Sequence, residues 1–517
     1  MKTEINNFPD DANALKSMLF EALKESSLKD KLINQKERKI LELEEKLALQ
    51  LAHRFGSRSE KFINPNQLSL FNEVEEEVSV NAEVASEETE IAISGFTRKR
   101  GKRKPIPDNL ERVEEFIDIE DEQKTCKLGG ELLVRFGEII SEKLEIIPQR
   151  IFVRRIVRAK YKCKCCSEEN TTFATASLPK EIIPKSMASA SLLSYITVSK
   201  YVDHLPLHRL EKMFERINVD IPRSTMSRWM IKASHSLTPL YNILEEKLLA
   251  SKAIQMDETT VQVLKETNKT AMSKSYMWVR STVPGNGPPI VLYDYHPTRS
   301  GEVVDKLLQD FKGILQTDGY GGYDSYCKNR TGVSHAGCFA HTRRKFHEAI
   351  KANKTKNNPV ARKGYLFFKD LYDLDRKTRK MSLEEIRVFR KEHMIPLIEE
   401  MSLWLSDVLP KTPTTLKTGQ ALTYLNNQLP KLLVTIRSPQ LPLDTNFVEN
   451  KIRPFTLGRK NWLFSDTAKG AEASAMLYSL LETAKANGKE PYAYMQFLFE
   501  RLPLCNTAED FEILLPF

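Results

Sequence analysis

Two short segments of this chain repeat one pattern. AIQMD (253–257) and ILQTD (314–318) each place an aspartate after an apolar stretch, with a glutamine two residues before it. Short apolar runs of this kind read as buried strands. If the two strands are parallel neighbours, Asp257 and Asp318 come side by side at their ends, close enough to bridge divalent metal ions. Glu258 directly follows Asp257, but adjacent residues on a strand point to opposite faces, so Asp257 is the candidate ligand. Taken alone, an aspartate before glycine, as in Asp318-Gly319, is also an ordinary turn residue.

A third acid lies far downstream, in LPLDTNFVENKIRPFTLGRKNWLFSD (441–466). On a helix, Asn446, Glu449 and Arg453 fall on one face, followed by Arg459, Lys460 and Trp462. A phosphodiester site uses such a set: the acid holds a metal, the cations hold strand phosphates and the ring stacks a displaced base. The same spacing also describes a surface helix with a Glu/Arg pair. His335, Cys338 and His341 stand at intervals of three, but in a strand their side chains would alternate, and one shared ion would require a helix there. Arg343, Arg344 and Lys345 then read as DNA-backbone contacts.

The elements that would position these residues follow from hydrophobic pattern. AIQMDETTVQVL, SYMWVRSTV and PIVLYDYHP predict three successive strands, SGEVVDKLLQDF a helix, GILQTDGYGGY a further strand, and VSHAGCFAH a fifth leading into the helix of TRRKFHEAI. A meander, a helical crossover, then more strand and helix is the order of a ribonuclease-H-like α/β domain. It is placed at 251–475, with a helical insertion at about 350–440 and a C-terminal helical tail at 476–517.

Upstream, residues 181–250 are helical by pattern. A helix over Leu207–Ile217, the turn NVDIP and a second helix N-capped by Ser224 have helix-turn-helix proportions. Arg223, Ser224, Thr225, Ser227 and Arg228 would face outward there, where a recognition helix contacts bases and phosphates. Residues 106–180 form a small module, within which 112–165 alternate in strand fashion. Cys163 and Cys166 have zinc-knuckle spacing and Cys126 offers a third ligand, but Leu128 and Gly129 stand where a second paired cysteine would fall. The module is therefore zinc-ribbon-like, with or without Zn2+. Residues 56–105 read as a disordered linker: eight glutamates between Glu73 and Glu90, then a basic arm of Arg98, Lys99, Arg100, Lys102, Arg103 and Lys104. Such a block neutralises phosphates. At the N-terminus, 1–55, a long helix carries Ile33, Ile40 and Leu47 at sevens with Leu43 between, a coiled-coil seam. Ser26, Lys36 and Gln50 interrupt it, so a helix packed on its own domain fits as well.

Composition bounds the function. The 517 residues predict several domains, 41% are hydrophobic, and 78 Lys+Arg exceed 69 Asp+Glu for a net charge of +9. The balance hints at an acidic partner. No apolar run is long enough to span a bilayer and the start lacks a signal-peptide pattern, so a cytoplasmic, nucleoid-associated protein without membrane contact is expected. Seven cysteines do not make a disulfide framework.

RFGSRSEKF, QLSLFNE, KYKCKCC, SKYVDHLPLHRLEKMFER, MDETTVQVL, LQTDGYGGY, GCFAHTRRKF, RPFTLGRKNWLF and ETAKANGKEP occur in this order along nearly the whole chain. In these blocks the chain resembles bacterial DDE transposases of the insertion sequence 66 type. The resemblance implies a catalytic triad of Asp257, Asp318 and Glu449 in a ribonuclease-H-like fold. Two Mg2+ (or Mn2+) ions, terminal inverted-repeat and target DNA as partners, a homo-oligomer and accessory proteins of the same element would go with it. Three departures stand out: Thr445 replaces the first of two asparagines common before the glutamate, Asn450 stands where arginine is common after it, and only Cys126, Cys163 and Cys166 remain of a four-ligand finger. Two other readings use the same residues: a transposase-derived DNA-binding regulator without catalysis, and a structure-selective nuclease.

Overall fold

A computed structural model describes residues 12–55, 89–93, 96–100, 151–162, 173–175, 177–328, 330–352 and 358–517. The chain forms two compact units, Ser57–Leu178 and, from its two flanks, Met1–Gly56 with Pro179–Phe517.

In the smaller unit, β1 (Thr89–Ile93) and β2 (Phe96–Arg100) pair antiparallel. Arg98, Lys99 and Arg100 of the basic arm therefore stand on a hairpin strand. β3 (Lys160–Lys162) pairs antiparallel with β4 (Phe173–Thr175) across the cysteine-rich segment. Residues 151–159 alternate as a strand would, yet they form no strand with the described residues, and Val153 and Val157 are exposed. Alternation yields a strand only where a neighbouring strand and a core face receive it. Lys102, Arg103, Lys104, Cys126, Cys163 and Cys166 lie outside the described residues.

The larger unit is built on a mixed sheet. β5 (Ala253–Lys265), β6 (Lys274–Thr282) and β7 (Val291–His296) form the antiparallel meander. After helix α1 (Ala12–Phe55) and the helices α2 (Ala190–Tyr201), α3 (Leu207–Glu215), α4 (Arg223–Ser236) and α5 (Thr238–Leu249), the chain crosses over the sheet through α6 (Gly301–Leu308). It returns as β8 (Gly313–Gln316), parallel to β5, and α7 (Gly321–Lys328) leads to β9 (Val333–Ala336), parallel to β8. The spatial order is β7-β6-β5-β8-β9, with β10 (Ser465–Thr467) parallel to the far end of β5.

Helices α2 to α5 share one buried core with this sheet, through residues such as Leu193, Met226, Leu244, Trp278 and Leu292. An ionic cluster pins them. Arg280 on β6 is fully buried and bonds Asp294 on β7 at 3.0 Å, Glu245 on α5 at 2.6 Å and the Tyr241 hydroxyl at 3.0 Å. A buried charge requires such complete pairing. On the edge strand β7, helix α14 (Ala468–Ala486) offers side chains in place of another strand. Ser479 Oγ accepts from Tyr293 N at 2.8 Å, and Thr483 Oγ accepts from Val291 N at 3.0 Å and donates to Val291 O at 2.9 Å. Covering an edge with a helix removes an open pairing template. The C-terminal segment is thus part of the core, and α15 (Pro491–Arg501) and the short α16 (Ala508–Glu512) continue it.

The insertion is helical as its pattern predicts. α8 (Phe339–Ala352), α9 (Pro359–Lys377), α11 (Ile395–Val408) and α12 (Lys417–Arg437) enclose a second core of Phe339, Phe346, Phe368, Met401 and Leu425, while the short α10 (Leu383–Phe389) lies outside it. The chain re-enters the sheet layer through α13 (Asn446–Trp462). Helix α1 meets this insertion through its polar side: Glu45 accepts from the backbone N–H of Lys417 at 2.8 Å, satisfying the otherwise uncapped start of α12. Ile33, Ile40, Leu43 and Leu47 remain about half exposed. No helix among the described residues is long and apolar enough to cross a membrane.

Candidate active site

The two repeated segments meet as parallel neighbours, with Gln255 opposite Gln316 in the β5–β8 register. Gln255 Nε2 donates to Gln316 Oε1 at 2.8 Å and to the Asp444 carbonyl at 3.0 Å, while Gln316 Nε2 donates to the Pro442 carbonyl at 2.8 Å. Both glutamines are fully buried, so these amide bonds are nearly obligatory. They tie the ends of two strands to the segment that opens α13. Asp257 and Asp318 stand two residues beyond the tie, and Glu449 stands on the first turns of α13.

The acids feel one another. Burial pushes the Asp257 carboxyl up to about 8, and the negative charges of Glu258, Asp318 and Glu449 add to the rise. Asp257 Oδ1 accepts from the Glu258 N–H at 2.8 Å and Asp318 Oδ1 from the Tyr320 N–H at 2.9 Å. Glu258 has other partners: it is an acceptor for the Tyr323 hydroxyl and an ion-pair partner of Arg299, whose guanidinium lies 3.9 Å from the centre of the Tyr320 ring. A Cβ at Gly319 would stand 2.6 Å from the Tyr424 hydroxyl, so glycine is what lets the insertion close over the Asp318 turn. Arg299, Tyr323 and Tyr424 escaped the sequence reading. The tyrosines of DGYGGY were a visible signal, whereas Tyr424 lies more than a hundred residues along the chain from Asp318.

Thr445, one of the departures, is buried and contacts the third acid. Its hydroxyl lies 3.0 Å from Glu449 Oε1 and 3.3 Å from Cys338 Sγ, and its N–H lies 3.4 Å from the same sulfur. VSHAGCFAH was expected to be strand throughout, but the strand ends at Ala336 and α8 begins at Phe339. This turns His341 toward Glu449, with Nδ1 3.7 Å from Oε1, while Arg344 reaches Oε2 at 3.9 Å. Ligand atoms of Cys338, His341 and Glu449 lie within 4.8 Å of one another. His335 does not join them: its Nε2 lies 2.8 Å from Thr317 Oγ and its Nδ1 3.0 Å from Asp324.

Residues 185–473 match the family model described as "Transposase IS66 family", which covers more than half of the chain. The chain belongs to this transposase family. Residues 42–114 match "Transposase C of IS166 homeodomain", 123–167 "zinc-finger binding domain of transposase IS66" and 479–517 "IS66 C-terminal element". The transposase is 30% identical to "Uncharacterized protein y4qI" of Sinorhizobium fredii over all of this chain and 98% of that protein. It is 28% identical to "Uncharacterized protein y4hP" of the same organism, over 89% of this chain and 84% of that one. No solved structure matches the chain.

Several residues expected to touch DNA have other work in the transposase. Arg343 is buried, its guanidinium 4.3 Å from the centre of the Tyr372 ring, because α8 turns this position into the insertion. Arg459 donates to Thr259 Oγ at 3.1 Å and to the Thr260 carbonyl, fastening α13 to β5. Trp462 packs edge-on against Phe455 at 5.5 Å under the Lys200 ammonium, with its Nε1 buried, so it is no free stacking platform. Ser224 is not the N-cap of α4: Pro222 holds that position, and Glu211 of α3 accepts from the Arg223 N–H at 2.8 Å instead. Arg223, Ser224 and Arg228 are exposed and Thr225 is half-buried, with Arg228 bonded to the Thr225 hydroxyl at 3.2 Å. Lys345, Arg453 and Lys460 are exposed, and Arg344 and Asn446 are half-buried.

Proposed function

We propose that this transposase cuts and joins DNA with Asp257, Asp318 and Glu449 as its triad, in a sheet of ribonuclease-H-like type. The observation that carries the reading is the amide tie of Gln255 to the Asp444 carbonyl and of Gln316 to the Pro442 carbonyl, which brings three segments distant in sequence to one cluster of acids. The cluster suits divalent cations: the Asp257 carboxyl is held up to about 8 by burial and by neighbouring carboxylates, a cost that a bound cation removes. Mg2+ or Mn2+, two ions in the reading from sequence, would supply Lewis acidity to the attacking and leaving oxygens. Asp257 would hold them from within β5, Asp318 from just past the end of β8 and Glu449 from α13, its carboxylate oriented by Thr445. Water attacks first and frees a 3′-hydroxyl at the element end; that hydroxyl then attacks target DNA in line.

The exposed start of α4, with Arg223, Ser224, Thr225 and Arg228, is proposed to read the terminal inverted repeats. The hairpin residues Arg98, Lys99 and Arg100 and the following Lys102, Arg103 and Lys104 would position the duplex. The apolar seam of α1, turned away from α12, supports assembly of two or more copies, which pairing of two element ends requires. Cys126, Cys163 and Cys166 are proposed zinc ligands of the finger domain. The deciding assay is strand transfer from a pre-cut inverted-repeat end with Mg2+. Joined product is expected; cleavage without joining would favour a nuclease, and binding alone a regulator.

A further inference from the structure

We propose that Cys338, His341 and Glu449 form a second metal site, selective for Zn2+, which shares Glu449 with the three acids and captures it when zinc is bound. Three observations converge on it. The three ligand atoms already lie within 4.8 Å of one another, and His341 Nδ1 is 3.7 Å from Glu449 Oε1. Ligands about 2.0–2.3 Å from a tetrahedral zinc are roughly 3.5 Å apart, so closure needs only small side-chain movements. His341 Nδ1 is shielded from solvent and has no hydrogen-bond partner. A buried polar atom left so is costly unless something ligates it. Finally, the Thr445 N–H faces Cys338 Sγ at 3.4 Å and the Thr445 hydroxyl faces Glu449 Oε1 at 3.0 Å, the kind of outer contacts that steady metal ligands.

The donor set decides the ion. A thiolate and an imidazole favour zinc, whereas Mg2+ takes oxygen ligands. Cys338 is buried while the side chains of His341 and Glu449 are 22% and 25% exposed, so the fourth position opens to water. Binding displaces the Cys338 thiol proton to solvent as the Zn–S bond forms. The Arg344 guanidinium, 3.9 Å from Glu449 Oε2, opposes the cation and must move aside. Where the triad reading holds, zinc here draws the third acid toward α8 and stops Mg2+-supported cleavage. Metal capture itself does not depend on that reading.

The test is titration of the full-length, metal-stripped chain with Co2+, which reports a thiolate ligand by sulfur-to-cobalt absorption, followed by Zn2+ displacement. Cysteines of the finger domain contribute their own signal, so the readout is the difference between variants. Wild type is expected to bind one more equivalent with a thiolate signature than C338S or H341A, and E449Q to weaken that equivalent more than about tenfold. D257A, in which the triad is broken, is expected to keep it. Spectra of C338S that superimpose on wild type, or retention of the extra equivalent in H341A, overturn the proposal. Loss of the equivalent in D257A overturns it too, since the ion would then sit in the acid cluster.

Discussion

Gln255 and Gln316 hydrogen-bond each other side chain to side chain at 2.8 Å, directly opposite in a parallel register. Gln255 gives its second N–H to the Asp444 carbonyl and Gln316 donates to the Pro442 carbonyl, both in the segment before α13. The repeated glutamine is therefore the joint that fixes where two strand ends and one helix start meet.

Breaking that joint should cost stability and placement together. Gln316→Leu leaves the Pro442 carbonyl without this donor and deprives Gln255 of one of its two acceptors, an expected loss of about 1–3 kcal/mol. Urea denaturation should show it, and DNA cleavage should fall further than inverted-repeat affinity. An unchanged midpoint with unchanged cleavage would show that the pair is dispensable.

The triad reading predicts a separation of binding from chemistry. Asp257→Ala, Asp318→Ala and Glu449→Ala proteins should still shift inverted-repeat DNA in a gel while nicking and strand transfer disappear. Nicking that survives any one of them removes that residue from the triad.

Thr445 gives a subtler test, because it contacts Glu449 without being an acid. Thr445→Val removes the hydroxyl bonded to Oε1. With a bond worth about 1 kcal/mol lost in orienting the carboxylate, single-turnover cleavage should slow by roughly fivefold. Thr445→Ser should restore the rate, and a valine variant as fast as wild type would deny Thr445 a positioning role.

Asp324 predicts an acid-sensitive element behind the Asp318 turn. Its carboxyl is held down to about 2, first by the His335 hydrogen bond and then by Lys431, 2.6 Å away. A depressed carboxyl stabilises the fold above its unfolded pKa near 4, and that contribution disappears as pH falls through about 2. Asp324 is partly exposed, so solvent screening reduces the effect to about 1 kcal/mol. Thermal unfolding of Asp324→Asn should lie below wild type at pH 7 and converge with it near pH 2; a constant gap across that window would refute the assignment.

Much of the fold was legible because its signals are local. Alternating and apolar runs marked β5 through β9, and spacing marked the helices of the insertion and the pair α3–α4. The misreadings share a cause. Residues 337–341 continue an apolar pattern, so strand and helix were indistinguishable until Phe339 packed into the core of the insertion. The start of α4 carries Ser224, a good capping residue, but the cap came from Glu211 on another helix. The basic residues on α8 and α13 have similar charge in sequence, and packing alone separated buried Arg343 and docked Arg459 from exposed Lys345 and Lys460.

By itself, the sequence determined what is periodic or repeated: which segments are strands or helices, that Asp257 and Asp318 follow equivalent glutamines, and that a charged helix carries Glu449. These depend on a residue and its near neighbours along the chain. Only the tertiary structure decided the partners: Thr445 and His341 against Glu449, Arg299 and Tyr323 against Glu258, Tyr424 over Gly319. Such pairs are set by how layers pack and which polar groups are then shut away from water, and burial favours pairings across distances along the chain that local pattern does not reveal.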